Sequence, residues 1–280
     1  MAKEHEAVET GGAPRQGASS SLSAFVSFAP PSSPSCPPPA VSIVLPVYNE
    51  EACIAGVIAE LVGALDGKLG RPYEVLAVDD GSTDRTPELL RAAADRHGVL
   101  RVLRLTPNSG QSAAFCAGFR AARGEIVVTL DADGQNDPAD IPAVAGRIGP
   151  ACDCCCGIRA HRMDTSSRRW ASRLANAIRN RALGEEIVDT GCSLKAFKAP
   201  FVRHLQPWDG LHRFFASFVA MQGGRIEQVP VNHRPRSAGT SKYTNWRRLK
   251  KTVRDLRGVV WLKSRTRRFT VEAVEPLPRA

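Results

Sequence analysis

The sequence predicts an α/β fold in which helices cover both faces of a mostly parallel sheet. From Val41 onwards, short and wholly apolar runs alternate with segments of helical spacing. The connecting segments are short, and wholly apolar strands are typical of sheets that are buried on both faces. A polar cluster follows each of the first four apolar runs. Because ligands bind at the carboxyl ends of strands in such sheets, these clusters mark the expected site.

The first part of this domain contains four predicted strand–helix units. The predicted strands are 41–45, 73–78, 100–105 and 125–130, and the predicted helices are 50–65, 86–97, 109–122 and 137–148. Thr86 is the expected N-cap of the second helix, with Pro87 at its first helical position. These units place four polar strand ends at one edge of the sheet.

The second part continues the alternation less regularly. Predicted strands or extended segments are 154–158, 188–197 and 225–231, predicted helices are 166–183, 212–221 and 245–263, and 232–243 is a polar loop. The last helix is amphipathic, with one apolar stripe formed by Trp246, Leu249, Val253, Leu256 and Val260. We therefore expect a disordered tail rich in Ser, Pro and Ala at 1–40, a main domain at 41–243, an amphipathic membrane-surface helix at 244–264 and a flexible tail at 265–280.

Composition and charge narrow the class of protein. The chain has 280 residues, of which 43% are hydrophobic, so it is neither wholly disordered nor fibrous. No stretch approaches the roughly 20 apolar residues of a membrane-spanning helix. Residues 1–158 hold 12 Lys and Arg against 19 Asp and Glu, whereas residues 159–280 hold 26 against 9. This asymmetry predicts a basic face that meets phosphates or an anionic membrane. Nucleic acid is disfavoured because few aromatic residues accompany the basic ones.

Half of the eight cysteines lie close together, at Cys152, Cys154, Cys155 and Cys156. Adjacent cysteines are poor disulfide partners, and no second pair at zinc spacing is present. We interpret them as small apolar residues of a buried strand, with a metal or redox role as the weaker alternative. A reducing cytosol fits this composition best.

An acid–small–acid motif, Asp131-Ala132-Asp133, follows the fourth apolar run. Two carboxylates at this spacing can hold a hard divalent cation, leaving other coordination positions to water and a diphosphate. Gln135 lies two residues further on and offers another oxygen ligand. A motif of this kind alone is weak, since chance and helix capping account for most examples, but its position at a strand end favours Mg²⁺ or Mn²⁺ binding.

A second acidic cluster begins at Asp79, after the second apolar run. Asp79 can accept hydrogen bonds from a nucleobase, whereas Ser82 and Asp84 are better interpreted as turn and capping residues. After the first run, Tyr48 offers an aromatic face to a base. Glu50 offers an acceptor to sugar hydroxyls, or is simply the first-turn acid of a helix.

In combination, these motifs closely resemble family 2 glycosyltransferases of the GT-A, Rossmann-like fold. The resemblance rests on 45–51, 78–82, 108–111 and 131–138, in that order. Two later segments, 189–195 and 236–243, resemble the branch of dolichol-phosphate mannosyltransferases and undecaprenyl-phosphate glycosyltransferases. The QxxRW signature of processive synthases is absent, which argues against a polymerase.

The resemblance implies a role for each matching residue. Pro46, Tyr48 and Glu50 would line the nucleotide site and Asp79 would contact the base. Asp131, Ala132, Asp133 and Gln135 would form the metal and diphosphate site, with Asp131, Asp133 and Gln135 as metal ligands. Catalytic roles fall to Asp133, Arg159, Arg236 and Lys242: Arg159 would face the acceptor phosphate, while Arg236 and Lys242 would grip donor or acceptor phosphates.

The implied reaction transfers a sugar, with inversion, from a GDP- or UDP-linked donor to a polyprenyl phosphate in cell-envelope biogenesis. A phosphate acceptor is already anionic, so cations that position it matter more than a general base. The expected location is the cytoplasmic face of a membrane, on an anionic surface or beside a small membrane protein. The alternatives are a soluble family 2 enzyme acting on a saccharide or other hydroxyl acceptor, and a binding module without activity.

Overall fold

A computed structural model describes residues 38–160, 166–235 and 245–267. The strands in this part of the chain are β1 (Val41–Val47), β2 (Tyr73–Asp79), β3 (Leu100–Arg104), β4 (Ile126–Thr129), β5 (Cys154–Arg159), β6 (Lys195–Lys198) and β7 (Ile226–Val231). The α-helices are α1 (Ile54–Leu65), α2 (Thr86–Arg96), α3 (Gln111–Ala121), α4 (Ile141–Ala145), α5 (Ser166–Leu183), α6 (Ala199–Arg203), α7 (Phe215–Met221) and α8 (Asn245–Arg265). Single 3₁₀ turns precede α4 and α7.

The strands form one mostly parallel sheet in the order β3-β2-β1-β4-β6-β5-β7. β1, β2, β3 and β4 are parallel neighbours, as the sequence predicts, and β5 pairs in parallel with β7. β6 runs antiparallel to both β4 and β5. The extended segment expected at 188–197 is therefore mostly loop, and only its end is a strand. This reversal places the start of β6 beside the end of β4.

The apolar faces of the sheet are covered on both sides. One face packs against α1 and α4 through residues such as Ile43, Ile58 and Val144. The other packs against α3, α6 and α7, where Phe119, Phe197 and Phe215 meet edge to face. The prediction of a doubly covered sheet is confirmed.

The cysteine cluster forms part of this core. Cys154, Cys155 and Cys156 are fully buried in β5, and Cys152 is 1% exposed just before it. Burial raises the pKa of the Cys155 thiol to about 12. The interpretation of these residues as a buried strand is confirmed.

Helix α3 lies close to β1 because Gly118 has no side chain. A Cβ atom at Gly118 would stand 2.3 Å from Cγ1 of Val44, well inside van der Waals contact. This approach fixes α3 against the sheet, and the N-terminus of α3 then points toward the carboxyl edge.

Helix α8 packs on the domain through part of its apolar stripe. Val259 is buried with Leu183, Phe214 and Met221, and Leu256 and Val260 flank it. Other apolar residues stay exposed, namely Val253 at 50%, Trp261 at 62% and Leu262 at 37%. No helix in the described ranges has the length and apolar character needed to cross a membrane.

Candidate functional site

The loops after β1 and β2 are fastened to each other. The backbone nitrogen of Asn49 donates to Ser82 Oγ at 3.0 Å, and that of Glu50 donates to Thr86 Oγ1 at 2.9 Å. Asn49 has a φ of 53°, and its Oδ1 accepts from the Thr83 nitrogen at 2.8 Å. These bonds hold Tyr48, which is 42% exposed, and the half-buried Glu50 at the edge of the sheet.

The hydroxyl of Thr86 is engaged by Glu50 rather than by its own helix. The N-cap of α2 is Arg85, which makes no side-chain capping bond, so the expected capping role of Thr86 is wrong. Asp84 instead accepts from the Thr86 nitrogen at 3.0 Å and from the Glu51 nitrogen at 3.2 Å. The capping interpretation of Asp84 is confirmed, whereas the hydroxyl of Ser82 joins the loops after β1 and β2.

Asp79 and Asp80 have different surroundings although they are adjacent. Asp79 is 1% exposed; its Oδ1 accepts from the Ser82 nitrogen at 2.9 Å, and its Oδ2 lies 3.3 Å from Arg104 Nε. Asp79 is predicted to contact the base of the nucleotide, which requires its carboxylate to reach a ligand bound beside the turn between Asp79 and Ser82. That role stays a prediction.

Asp80 organises the loop that leads into α3. Its carboxylate accepts from the backbone nitrogens of Ser109 and Gly110, both at 2.8 Å, and from Asn108 Nδ2 at 3.0 Å. Our sequence reasoning missed this residue. The signal available was the Asn108-Ser109-Gly110 sequence, whose donors need an acceptor at a neighbouring strand end.

The acid–small–acid motif lies beside both of these loops. Asp131 Oδ1 accepts from Gln111 Nε2, at the start of α3, at 2.9 Å. Ala132 is buried, and its carbonyl oxygen lies 3.6 Å from Cys53 Sγ, which in turn lies 3.2 Å from Glu50 Oε2. The polar strand ends predicted from sequence are thus brought together.

Asp133 and Gln135 lie against the chain segment that follows β7. Asp133 Oδ1 accepts from the Gln135 nitrogen at 3.2 Å, and the Gln135 carbonyl accepts from the Arg234 nitrogen at 2.8 Å. Asn136 and His233 form an isolated antiparallel bridge next to this contact. The chain after β7 therefore leaves the sheet next to the acidic motif.

The oxygen donors of this motif fit a hard divalent cation. Asp131 and Asp133 are half-buried carboxylates, the ligand type that Mg²⁺ and Mn²⁺ prefer, and Asp131 lines the adjoining cavity. Within the described residues, no group of three or more His, Cys, Asp and Glu side chains could hold a metal. Besides these two carboxylates, a cation here would take oxygens from the Gln135 amide, a bound diphosphate and water.

Arg159, at the end of β5, is bound to another part of the chain. Its Nε and Nη2 lie 2.7 and 2.9 Å from the two carboxylate oxygens of Asp189, and its side chain is 16% exposed. Its predicted contact with an acceptor phosphate stays a prediction. Arg236 and Lys242 lie outside the described residues.

A cavity of about 900 Å³ adjoins Asp131. Gln111 and Thr129 line it near the motif, and further in it is lined by Arg179, Lys195, His212, Arg213 and Phe214. His212 Nδ1 is 2.9 Å from Ser112 Oγ. Burial and the charges of Arg213 and Lys195 lower the pKa of His212 to about 3, so its ring is neutral at pH 7.

This mostly parallel sheet, with its acidic strand ends together at one edge, has the architecture of the GT-A fold. The sequence model of the family described as Glycosyl transferase family 2 matches residues 42–205, more than half of the chain. The chain therefore belongs to that family.

Similar proteins include undecaprenyl-phosphate 4-deoxy-4-formamido-L-arabinose transferases. The protein of this name from Pseudomonas aeruginosa (strain LESB58) is 41% identical over 211 residues, covering 75% of this chain and 62% of its own length. That of Edwardsiella ictaluri is 38% identical over 205 residues, covering 72% and 62%. The chain thus spans under two thirds of the length of these relatives.

Solved structures support the fold assignment. Glucosyl-3-phosphoglycerate synthase from Mycobacterium tuberculosis, in complex with Mn²⁺, uridine diphosphate and glucosyl-3-phosphoglycerate, matches with a TM-score of 0.61. The match covers 80% of each chain at 21% sequence identity, so it concerns the fold alone.

Proposed function

We propose that this chain transfers a sugar from a nucleotide-diphosphate donor to a polyprenyl phosphate, in a metal-dependent and inverting reaction. The observation that carries the proposal is the convergence of Glu50, Asp79 and the Asp131–Asp133 motif at one sheet edge. The names of the curated relatives support the polyprenyl phosphate acceptor. A structural neighbour binds UDP and Mn²⁺, which supports a divalent cation and favours UDP over GDP as the first donor to test.

On this proposal, Asp131, Asp133 and Gln135 hold the cation, and Gln111 orients Asp131 through its 2.9 Å hydrogen bond. The cation supplies charge neutralisation for the leaving diphosphate. Pro46 and Tyr48 line the nucleotide site, where Asp79 accepts hydrogen bonds from the base and Glu50 from sugar hydroxyls.

The acceptor phosphate enters the reaction already ionised. It needs cations to hold it in line with the anomeric carbon, and we assign this task to Arg159, Arg236 and Lys242. The ion pair with Asp189 fixes the direction of the Arg159 guanidinium. A hydroxyl acceptor would instead require a carboxylate base within hydrogen-bond reach.

We also propose that α8 lies on the cytoplasmic surface of an anionic membrane, alone or with a small membrane protein. Its exposed Val253, Trp261 and Leu262 stand among basic residues that include Arg254 and Arg257. Basic residues near such a surface contribute on the order of 1 kcal/mol each. Pelleting with phosphatidylglycerol vesicles, but not with phosphatidylcholine vesicles, is the expected result.

The test of the main proposal is transfer of radiolabel into lipid. The protein is incubated with Mn²⁺, undecaprenyl phosphate and labelled UDP- and GDP-sugars, and the organic phase is counted with and without EDTA. We expect EDTA-sensitive label in lipid, and less than about 1% of it in Asp133→Asn. Asp95→Asn, an exposed acid on α2 with no proposed role in catalysis, is the control. Label in a soluble saccharide but never in lipid would contradict the acceptor assignment and favour the soluble alternative.

A further inference from the structure

The cavity beside Asp131 extends inward over the face of the sheet. Thr129 of β4 and Lys195 of β6 are register partners and line it on the sheet side. Phe115 and Phe214 line it among the helices, and Arg179 reaches it from α5. The cavity thus joins the acidic motif to two buried cationic side chains.

Arg179 is 8% exposed, and only some of its N–H groups have hydrogen-bond acceptors. Its Nη2 donates to Ser217 Oγ at 2.5 Å and lies 3.2 Å from Glu185 Oε2, and its guanidinium carbon stands 5.3 Å from the centre of the Phe214 ring. Its Nε and Nη1 are buried without a hydrogen-bond acceptor among the residues that the structure describes. Buried N–H groups of a charged side chain are rarely left in this state.

Lys195 is 4% exposed and its charge is not balanced. Its Nζ donates to the carbonyl oxygen of Cys192, which is a neutral acceptor. In the described part of the chain, no carboxylate oxygen lies within 4 Å of this ammonium group. A buried ammonium without a counter-charge is costly, and an anion in the cavity would offset that cost.

The other cations around the cavity have acidic partners. Lys251 forms an ion pair with Asp209, and Arg213 lies 3.9 Å from Asp255. Arg179 also has an acidic partner, Glu185, but keeps two buried N–H groups without an acceptor, whereas Lys195 has no carboxylate partner among the described residues.

We propose that Arg179 and Lys195 bind an anionic oxygen group, a carboxylate or a phosphate, carried into this cavity by one of the two substrates. The inference rests on the proposed function, since the cavity adjoins Asp131. The two sources are a carboxylate on the donor sugar, as in a uronic acid, and the phosphate of the polyprenyl acceptor. A neutral sugar would leave the charge of Lys195 unbalanced.

The test is calorimetric binding at constant ionic strength with Mg²⁺. The probes are UDP-glucuronic acid, UDP-glucose and farnesyl phosphate, and the variants are Arg179→Gln and Lys195→Gln. Arg181→Gln is the matched control, because Arg181 is on the same helix and exposed. Charge-assisted hydrogen bonds predict a loss of about 10-fold or more in affinity for one anionic probe in both variants, and none in the control.

Two patterns support the proposal and identify the source. If UDP-glucuronic acid binds more tightly than UDP-glucose and Arg179→Gln removes this advantage, the anion is a sugar carboxylate. If farnesyl phosphate alone is weakened, the anion is the acceptor phosphate. Affinities within twofold of wild type for all three probes in both variants would overturn the inference, as would an equal loss in Arg181→Gln.

Folding and function are checked separately. Thermal melts identify unfolded variants. Arg179→Gln leaves Glu185 buried and unpaired, so it is the variant at greater risk of misfolding. If it fails to fold, the binding test is made with Lys195→Gln. Wild-type protein that binds none of the three probes, nor GDP-mannose, would contradict the proposed function and remove the basis of this inference. Wild-type donor binding with unchanged variants would contradict the inference alone.

Discussion

Replacing Asp80 by Asn tests whether this acid is structural while its neighbour Asp79 serves the ligand. Asp80 is 3% exposed, and its two oxygens accept from Ser109, Gly110 and Asn108. Asparagine keeps the shape of the side chain but has only one acceptor oxygen. Its favoured orientation retains the bonds to Gly110 and Asn108 and turns its amide toward the Ser109 N–H.

The expected cost follows from this geometry. One charge-assisted hydrogen bond is lost, which amounts to about 1.5–3 kcal/mol, and a buried donor is left facing another donor. We expect the free energy of unfolding to fall by about 3 kcal/mol, measured by urea denaturation at pH 7.5. The affinity for UDP with Mg²⁺ should also fall, because the loop carries Gln111 to Asp131.

The matched control is Asp84→Asn, in the same turn. Asp84 also accepts two backbone N–H groups, but it is half-exposed, so water can replace the lost acceptor and the expected cost is about 1 kcal/mol. A loss below about 1 kcal/mol in Asp80→Asn, or one no greater than in Asp84→Asn, would refute the structural role of Asp80.

Three further predictions concern packing, pH and the donor. Gly118→Ala places a methyl group against Val44 and should cost about 1–3 kcal/mol of unfolding free energy, whereas Gly56→Ala, whose Cβ meets nothing within 4 Å, should cost nothing; equal melting temperatures would contradict this. The His212 pKa of about 3 lies below the unfolded value of about 6.5, so its stabilisation is complete above pH 6.5 and is lost as pH falls toward 3. Between pH 7.5 and 5.0, the free energy of unfolding of wild type should therefore fall by about 2 kcal/mol more than that of His212→Asn. Equal decreases in urea denaturation would count against burial of this ring. Asp79→Asn should weaken UDP binding about 10-fold in calorimetry while Asp95→Asn leaves it unchanged, and an unaltered dissociation constant would exclude Asp79 from the base site.

Local sequence signals were sufficient to predict the strands of the parallel half of the sheet. The apolar runs that became β1 and β2 are each buried on both faces, so their composition alone distinguishes them from surface strands. Asp131 and Asp133 were identifiable because the acidic motif directly follows such a run. The cysteine strand β5 was predictable for the same reason, since a run of small apolar residues has no place on a surface.

Features set by distant residues could not be predicted. The residues around Thr86 predict that it caps a helix. Its hydroxyl instead accepts a hydrogen bond from the backbone nitrogen of Glu50, which is 36 residues away in sequence. Arg179 shares its helix with the exposed Arg173 and Arg181, and it is distinguished from them by its contacts with the distant Phe214 and Ser217. The direction of β6 likewise depends on which strands flank it, and a four-residue strand carries little information about its partners.

The reversal of β6 determines where the chain between β5 and β6 meets the sheet. β5 ends and β6 begins at the same edge of the sheet, so the chain between them leaves and re-enters at one place. The Arg159–Asp189 ion pair closes the base of this excursion. This segment supplies Arg179 and Cys192 to the lining of the cavity, whereas the pairing of β1 with β2 and β4 involves none of its residues. A substitution on its cavity side would therefore change the wall that a substrate meets and keep the parallel half of the sheet.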